Sequence, residues 1–198
     1  MIIEPGALGN QLYEYMLLIK LPEELQRRVE AERMSLKQNY QIEQPQTGRP
    51  NVSLARFKAG KLMENKIING LQKIAMAEKP FMIELCNYDG YPMHAVFIKI
   101  KNQESVIALI KKLKKARPLM TAAGDEPYFL IDPQIALAGR LEPDKYIEIM
   151  KACQHKKFED SFLADSFVLL RKGEKQYQLV KCFEFKGLKV LKNQGVLF

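Results

Sequence analysis

The sequence predicts an α+β fold of two similar β-α-β-α-β lobes, related by a pseudo-twofold axis, with two antiparallel or mixed sheets facing a central groove and helices outside. Residues 50–54 (PNVSL) and 133–137 (PQIAL) share one pattern: proline, amide residue, β-branched residue, small residue, leucine. The amide residues of these two motifs lie 83 positions apart, and similar patterns around Ile19 and Ile98 lie 79 positions apart. A near-constant offset indicates one supersecondary unit used twice.

The first lobe is expected at about residues 12–90. Alternation and helical spacing of apolar residues define its elements. They are a strand over 13–21, a helix from Pro22 to about Lys37, the first motif strand over 50–57, a helix over 63–78 and a strand over 81–88 before the turn signal at 89–90. Pro22 and Pro50 fit this assignment, because a missing N–H does least harm at the first position of a helix or strand.

The second lobe is expected at about residues 91–198, and the C-terminal hairpin is a candidate to cross over to the first lobe. Its elements are a strand over 95–101, a helix over 103–116, a long connection over 117–132, the second motif strand, a helix over 143–154, a hairpin of strands 161–171 and 176–185, and a last strand over 189–198. A connection as long as 117–132 is often functional or mobile, so we expect a flap there.

Composition excludes several classes of protein. The chain has 198 residues, 47% of them hydrophobic, which fits one soluble domain of two lobes. No apolar run is long enough to span a membrane, and the N-terminus does not resemble a signal peptide. Three cysteines without metal-ligand spacing and only two histidines indicate no metal or other cofactor, and reduced thiols in the cytoplasm. The net charge of +8 favours a polyanionic partner, although solvated lysines also explain it.

The two motifs resemble those of the two-histidine phosphoesterase superfamily, the 2′-5′ RNA ligases and cyclic phosphodiesterases of bacteria. The mark of that family is Pro-His-hydrophobic-Thr-Leu, once per lobe. Residues 19–25 (IKLPEEL) are similar to its opening strand and helix, and residues 167–171 (FVLLR) to its closing hairpin. The resemblance covers nearly the whole chain and implies a 2′-5′ RNA ligase-like fold.

The chain differs from the family at the catalytic positions of both motifs. Asn51 and Gln134 replace the motif histidines, Ser53 keeps the first hydroxyl, and Ala136 has lost the second. In the family, one histidine acts as general base and the other as general acid. A carboxamide forms hydrogen bonds but does not exchange a proton near neutral pH. The resemblance therefore implies a catalytically degenerate protein, with no confident catalytic residue.

The candidate ligand-binding residues follow from strand alternation and from the resemblance. Alternation places Asn51, Ser53, Ala55 and Phe57 on one face of their strand, and directs Arg56 to the other unless the strand bulges. Arg140 is a candidate phosphate ligand, Phe57 could stack on a base, and His94 is a candidate substitute for the lost imidazoles. The full set is Asn51, Ser53, Gln134, Ala136, Arg140, Phe57 and His94.

The leading hypothesis is a monomeric 2′-5′ RNA ligase-like protein that binds a nucleotide, an RNA end or another phosphoester in its groove and is not an enzyme. One alternative is an active phosphodiesterase or ligase that uses a residue outside the motifs, such as His94. The other is a scaffold whose groove, or whose helix with lysines at 111, 112, 114 and 115, binds a protein partner.

Overall fold

The computed structural model describes residues 11–42, 46, 48–122, 124–174 and 176–188. In these ranges the chain forms nine strands and five α-helices, with 3-10 turns at Lys61–Met63 and Lys114–Ala116. The predicted strand over 189–198 lies outside the described residues. In chain order the elements are β1 (Leu12–Lys20), α1 (Glu23–Tyr40), β2 (Asn51–Gly60), α2 (Glu64–Ala77), β3 (Phe81–Tyr91), β4 (Ala95–Ile100), α3 (Glu104–Leu113), α4 (Arg117–Met120), β5 (Tyr128–Phe129), β6 (Gln134–Gly139), α5 (Pro143–Cys153), β7 (Glu159–Ala164), β8 (Ser166–Lys172) and β9 (Tyr177–Glu184).

The strands form two antiparallel sheets. The first sheet has the order β5-β2-β1-β8-β9 and the second β6-β4-β3-β7. Apart from the short β5, the two orders are equivalent: motif strand, opening strand, then two further strands. The predicted α+β fold with two repeated units is confirmed.

The two units exchange strands. Strand β3 follows α2 in the first unit but pairs with β4 and β7 in the second sheet. The β8–β9 hairpin comes last and completes the first sheet. The predicted hairpin around residues 172–174 is confirmed, but its first strand is two strands, which separate at Asp165 and enter different sheets. The sequence over 161–171 has strand character throughout, so it does not show that its first part joins one sheet and its second part the other.

A β-bulge interrupts the first motif strand. Leu17 of β1 lies opposite Ala55, and the next residue, Leu18, lies opposite Ser53, so Leu54 is the extra residue. A bulge places two residues of one strand opposite one residue of its partner and bends the strand. Beyond Leu54, the side chains that alternation assigned to one face of β2 therefore lie on the other.

The second motif strand carries the same bulge at the equivalent leucine. Val96 of β4 lies opposite Ala138, and Phe97 lies opposite Ala136, which leaves Leu137 as the extra residue. Leu137 is 83 positions after Leu54, the offset that separates the motifs. The duplication therefore extends to this irregularity of the backbone.

The connection over 117–132 packs on the first sheet. Its strand β5 pairs with β2 directly after the bulge, where Tyr128 lies opposite Arg56. The Leu130 N–H donates to the Leu54 carbonyl over 3.0 Å, which satisfies the acceptor at the bulge. Asp125 forms an ion pair with Lys58 at 3.2 Å. A segment of the second unit thus covers the edge of the first sheet.

Candidate functional site

The motif residues lie on what we call the groove face, the face of each sheet opposite the main hydrophobic core. In the first sheet Tyr15, Leu17 and Ile19 point into that core and are at most 1% exposed. The intervening residues of β1 point the other way, and side chains directly opposite one another share a face. Asn51 and Ser53 lie opposite Lys20 and Leu18, which places them on the groove face.

A buried arginine connects the second motif strand to the segment that precedes the first motif strand. Arg33 of α1 is 9% exposed. Its Nε and Nη2 donate to the Ala136 carbonyl over 3.0 and 2.7 Å, and its Nη1 donates to the Gly48 carbonyl over 2.8 Å. Burial lowers the pKa of Arg33, and the charge of Glu30 acts in the opposite direction. Strands β2 and β6 also contact each other directly.

In the first motif, both ends of the Asn51 carboxamide form hydrogen bonds with neighbouring residues of the chain. The Ser53 hydroxyl donates to Asn51 Oδ1 over 2.8 Å. Asn51 Nδ2 donates to the Arg49 carbonyl over 2.9 Å. Asn51 is therefore held in one orientation by contacts within its own segment of chain.

The second motif leaves an acceptor without a donor. Gln134 Oε1 is buried and has no hydrogen-bond partner within the part of the chain that the structure describes. The residue equivalent to Ser53 is Ala136, which has no hydroxyl to donate. Nearby, the Tyr91 hydroxyl donates to Asp132 Oδ2 over 2.5 Å. Burial, followed by this contact with Asp132, raises the pKa of Tyr91 to about 12.

Two lysines that the sequence analysis missed accompany the two carboxamides. Lys20 lies directly opposite Asn51, and Lys99 lies directly opposite Gln134. Both are exposed, and Lys99 Nζ lies 3.6 Å from Asp89. The signal was present, because Lys20 and Lys99 occupy the same place in the repeated pattern Ile-Lys-aliphatic. An ammonium next to carboxamide donors can bind an anion.

The middle of the groove face in the first sheet is apolar. Met16, Leu18 and Val168 are 8%, 5% and 1% exposed and form a cluster separate from the main core. At one end of this cluster, the Tyr177 hydroxyl and the Lys172 ammonium donate to Glu14. The hydrogen bond from Tyr177, with lesser help from Lys172, lowers the pKa of Glu14 despite its partial burial.

The bulge corrects the expectation for Phe57. Alternation placed Phe57 on the face of Asn51, but Phe57 lies opposite Tyr15, is 3% exposed and stacks on that ring at 5.2 Å. Ala55 likewise points into the core. Arg56 takes the place on the groove face, opposite Met16, and its charge acts on both Glu14 and Tyr177. Phe57 is therefore not accessible for stacking on a base.

Arg140 and His94 lie at the other end of β6 from Gln134. Gln134 is opposite Lys99, whereas Gly139 is opposite Ala95. Arg140 follows β6, is exposed and has a left-handed φ of 55°. His94 precedes Ala95 in the exposed β3–β4 turn. At about 3.3 Å per strand residue, roughly 15–20 Å separates their backbones from Gln134. The expected convergence of Arg140 with Gln134 is not observed.

Two further findings concern a metal site and a membrane-spanning helix, and both apply only to the residues that the structure describes. Among these residues no cluster of three or more His, Cys, Asp or Glu side chains is suited to hold a metal ion. No helix among them combines the length and the hydropathy that a membrane span requires.

Comparison with solved structures identifies the fold. Neither family models nor curated proteins match the sequence. Escherichia coli LigT complexed with 3′-AMP is similar at a TM-score of 0.68 and 14% identity, over 88% of this chain and 99% of that chain. TT0787 of Thermus thermophilus is similar at 0.64 and 18% identity, over 88% and 98% of the two chains. A structure described as a phosphoesterase gives 0.64 and 13%, over 87% and 98%.

Other similar structures are of E. coli LigT complexed with NADP+, with ATP and with phosphate. At these identities the likeness is one of fold. It extends over most of this chain and over almost all of each similar chain. The resemblance inferred from the two motifs is thereby confirmed at the level of architecture, and the chain has the fold of E. coli LigT.

Proposed function

We propose that this protein binds a nucleotide, an RNA end or another phosphoester on its groove face, without the acid–base chemistry of the two-histidine enzymes. The observation that carries the proposal is the repeated pair of a carboxamide on a motif strand and a lysine directly opposite on the neighbouring strand, Asn51 with Lys20 and Gln134 with Lys99. The two motif strands contact each other. Structures of LigT with 3′-AMP, ATP and phosphate support a phosphorylated ligand. We also propose that the protein is a monomer, is located in the cytoplasm and needs no cofactor.

The residue types favour binding over turnover. Asn51 and Gln134 can orient a phosphate, but neither can take up or release a proton at neutral pH. A general acid or base typically contributes about 10²–10⁴-fold to a rate, so the loss of both removes several orders of magnitude. His94, the alternative, lies in the β3–β4 turn beyond the far end of β6. Its position does not favour a role beside Gln134.

Isothermal titration calorimetry with 3′-AMP and with ATP tests the proposal. The double variant Lys20→Gln/Lys99→Gln should lose at least about tenfold in affinity, because a hydrogen bond to a charged group contributes about 1.5–3 kcal/mol. The matched control is Lys66→Gln/Lys151→Gln, which removes two exposed lysines from α2 and α5. It should change the affinity less than about twofold, since α2 and α5 pack against the main core, on the side of the sheets away from the groove face.

A turnover assay separates binding from catalysis. Purified protein incubated with 2′,3′-cyclic AMP should give no product above background. Turnover abolished by His94→Ala would establish the enzyme alternative instead. Equal losses of affinity in the two lysine variants would contradict the groove site, and no binding of either nucleotide would favour the scaffold alternative.

A further inference from the structure

A run of cations lies where helix α3 leads into α4. Residues 111–117 (KKLKKAR) contain five lysine and arginine side chains in seven positions. Two of them are paired, Lys112 with Glu78 at 2.6 Å and Arg117 with Glu126 at 2.8 Å. The remaining three, which we call the lysine surface, are Lys111, Lys114 and Lys115. All three are exposed, and none forms an ion pair within the part of the chain that the structure describes.

The end of helix α3 accounts for only part of this charge. The macrodipole favours cations in the last turn of a helix, and its effect is confined to that turn. Lys111 lies in the last turn of α3, but Lys114 and Lys115 lie beyond it, in the 3-10 turn that leads into α4. Like charges four positions apart on a helix, such as Lys111 and Lys115, are destabilising. A bound polyanion removes this repulsion.

Strand β5 separates the lysine surface from the groove face. Lys114 Nζ lies over the ring of Phe129, 6.0 Å from its centroid. Tyr128, the other residue of β5, is 63% exposed and lies opposite Arg56 on the groove face. Consecutive residues of a strand point to opposite faces of the sheet. Because β5 is the edge strand of the first sheet, a bound chain can pass from the groove to the lysine surface over that edge.

We propose that the lysine surface binds the backbone of a single-stranded RNA whose end lies in the groove. This inference rests on the proposed function and extends the contact with the ligand beyond the groove. The strand leaves the groove beside Arg56 and crosses the edge at β5, where a base stacks on Tyr128. Its next phosphates lie at the lysine surface. Proteins that bind single strands combine cations along the backbone with aromatic rings on which bases stack.

The composition of this surface favours RNA over a protein partner. The other exposed residues of α3 are Glu104, Ser105 and Ala108, so the helix has no exposed large apolar side chain. Protein interfaces are depleted of lysine and depend on aromatic, apolar or arginine anchors that become buried. A phosphate backbone, in contrast, is bound through lysine charges and the release of counterions.

The first test measures how the affinity for RNA depends on salt. The probe is a fluorescein-labelled oligoadenylate of about 12 nucleotides that ends in a 3′-phosphate, titrated by fluorescence anisotropy. Each phosphate contact contributes about 0.7 to the slope of log K against log salt for a single strand. The triple variant Lys111→Gln/Lys114→Gln/Lys115→Gln should therefore reduce the slope by about two and weaken binding at low salt at least about tenfold.

A matched control separates a local effect from one of net charge. The triple variant Lys37→Gln/Lys151→Gln/Lys157→Gln removes the same charge from exposed positions in and after helices α1 and α5. Its slope should change by less than about 0.7, the contribution of one contact. Tyr128→Ala should weaken binding of the oligoadenylate at least about fivefold, because it removes a stacking ring, and should leave the slope unchanged, because it removes no charge.

Titration with AMP distinguishes the lysine surface from the groove. AMP binds in the groove under the proposed function and does not extend across β5. Both triple variants should therefore bind AMP within about twofold of the wild type at physiological salt, which screens charges more than about 10 Å away.

The outcomes separate the two proposals. If AMP binds but the lysine variant retains the wild-type slope with the oligoadenylate, or the control lowers the slope equally, the role of the lysine surface is wrong while the proposed function stands. A slope unchanged in the lysine variant also returns this helix to the protein-partner alternative. If AMP does not bind and the oligoadenylate shows the expected difference in slope, the lysine surface binds RNA and the groove site fails.

Discussion

Arg33 shows how a single buried charge can organise a site without touching a ligand. It sits on the core-facing stripe of α1, with Leu25, Val29 and Leu36. A buried charge is normally paired with an opposite charge. The three hydrogen bonds of Arg33 instead go to backbone carbonyls, two to Ala136 on β6 and one to Gly48 in the connection before β2.

Replacing Arg33 with methionine should destabilise the protein by about 2–5 kcal/mol. The variant leaves the part-buried Ala136 carbonyl without its two donors, and a hydrogen bond to a charged group contributes about 1.5–3 kcal/mol. Gly48 is exposed, so its carbonyl can accept from water instead. Urea denaturation followed by circular dichroism measures the free energy of unfolding. The control Arg27→Met, at an exposed position of the same helix, should stay within about 0.5 kcal/mol of the wild type. Equal effects of the two substitutions would contradict the bridging role.

The amino-acid sequence predicted some residues of the candidate site but not others. The two motifs alone predict that Asn51 and Gln134 occupy equivalent positions on their strands, because their spacing to the proline and the leucine is the same in both copies. Arg33 was not predicted, because a charged residue in a helix is most often exposed. Its position eight residues after Leu25 and four after Val29 was the signal, since this spacing belongs to the buried face of a helix.

At the scale of elements, one carboxylate ties helix α2 to the first sheet. Glu64, in the first turn of α2, accepts hydrogen bonds from Tyr15 of β1 over 3.0 Å and from Arg171 of β8 over 2.7 Å. Lys61 donates to its other oxygen over 2.5 Å. Burial alone would raise the pKa of Glu64, but these donors outweigh it and hold the pKa below its ordinary value of 4.5.

The lowered pKa of Glu64 makes part of the stability depend on pH. The unfolded chain binds a proton at higher pH than the folded one, so the contribution of Glu64 is complete above the ordinary glutamate range and is lost as pH falls through the folded pKa. At pH 7, Glu64→Gln should lower the free energy of unfolding by about 1–3 kcal/mol, because charged donors lose a charged partner. The deficit should shrink steadily as the pH is lowered below the ordinary value of 4.5.

Denaturation at several pH values from 7 down to 3 measures this dependence. Glu174→Gln, at an exposed position of the β8–β9 turn, is the control and should parallel the wild type throughout. A deficit of Glu64→Gln that stays constant with pH would mean that packing, and not the charge of Glu64, connects α2 to the sheet.

Elements were predictable from periodicity, whereas the faces of the motif strands were not. The four longer helices, α1, α2, α3 and α5, and most strands appear where apolar spacing placed them, whereas α4 lies in the predicted connection over 117–132. The predicted face of the first motif strand was wrong beyond Leu54, because a bulge shifts the alternation of side chains by one residue. Leu137 carries the same bulge, and neither leucine differs from an ordinary strand residue in the sequence. Two equivalent bulges 83 positions apart are themselves a mark of the repeated unit.

At the scale of the whole molecule, the proposed groove site should gain catalysis when the pattern of the two-histidine enzymes is introduced. The triple variant Asn51→His/Gln134→His/Ala136→Thr places that pattern on the two motif strands, which contact each other. Two imidazoles with ordinary pKa values of about 6.5 can share the roles of base and acid near neutral pH. We expect hydrolysis of 2′,3′-cyclic AMP at least about tenfold faster than with the single-histidine variant Asn51→His/Ala136→Thr.

The rate of hydrolysis is measured at several pH values by chromatography of the product. The rate of the triple variant should show a bell-shaped pH profile, since one imidazole must be neutral and the other protonated. Equal rates for the triple and single-histidine variants would mean that positions 51 and 134 do not act on one substrate.

The duplication and the fold could be predicted from offsets between motifs, but the exchange of strands between the units could not. Offsets report which segments are equivalent and say nothing about which sheet each one joins. Strand β3 and the β8–β9 hairpin carry the same apolar character whichever sheet they complete. Only the three-dimensional packing decides between these pairings.

The exchanged hairpin also has a consequence for synthesis on the ribosome. Leu17 of β1 pairs with Leu169 of β8, so the first sheet is completed by a strand made about 150 residues later. At about 5–20 residues per second, the nascent chain waits on the order of 10 s for it. Throughout that time one edge of β1 has unpaired backbone groups, a template for pairing with another nascent chain. The yield of soluble protein should therefore depend on translation speed over its last third.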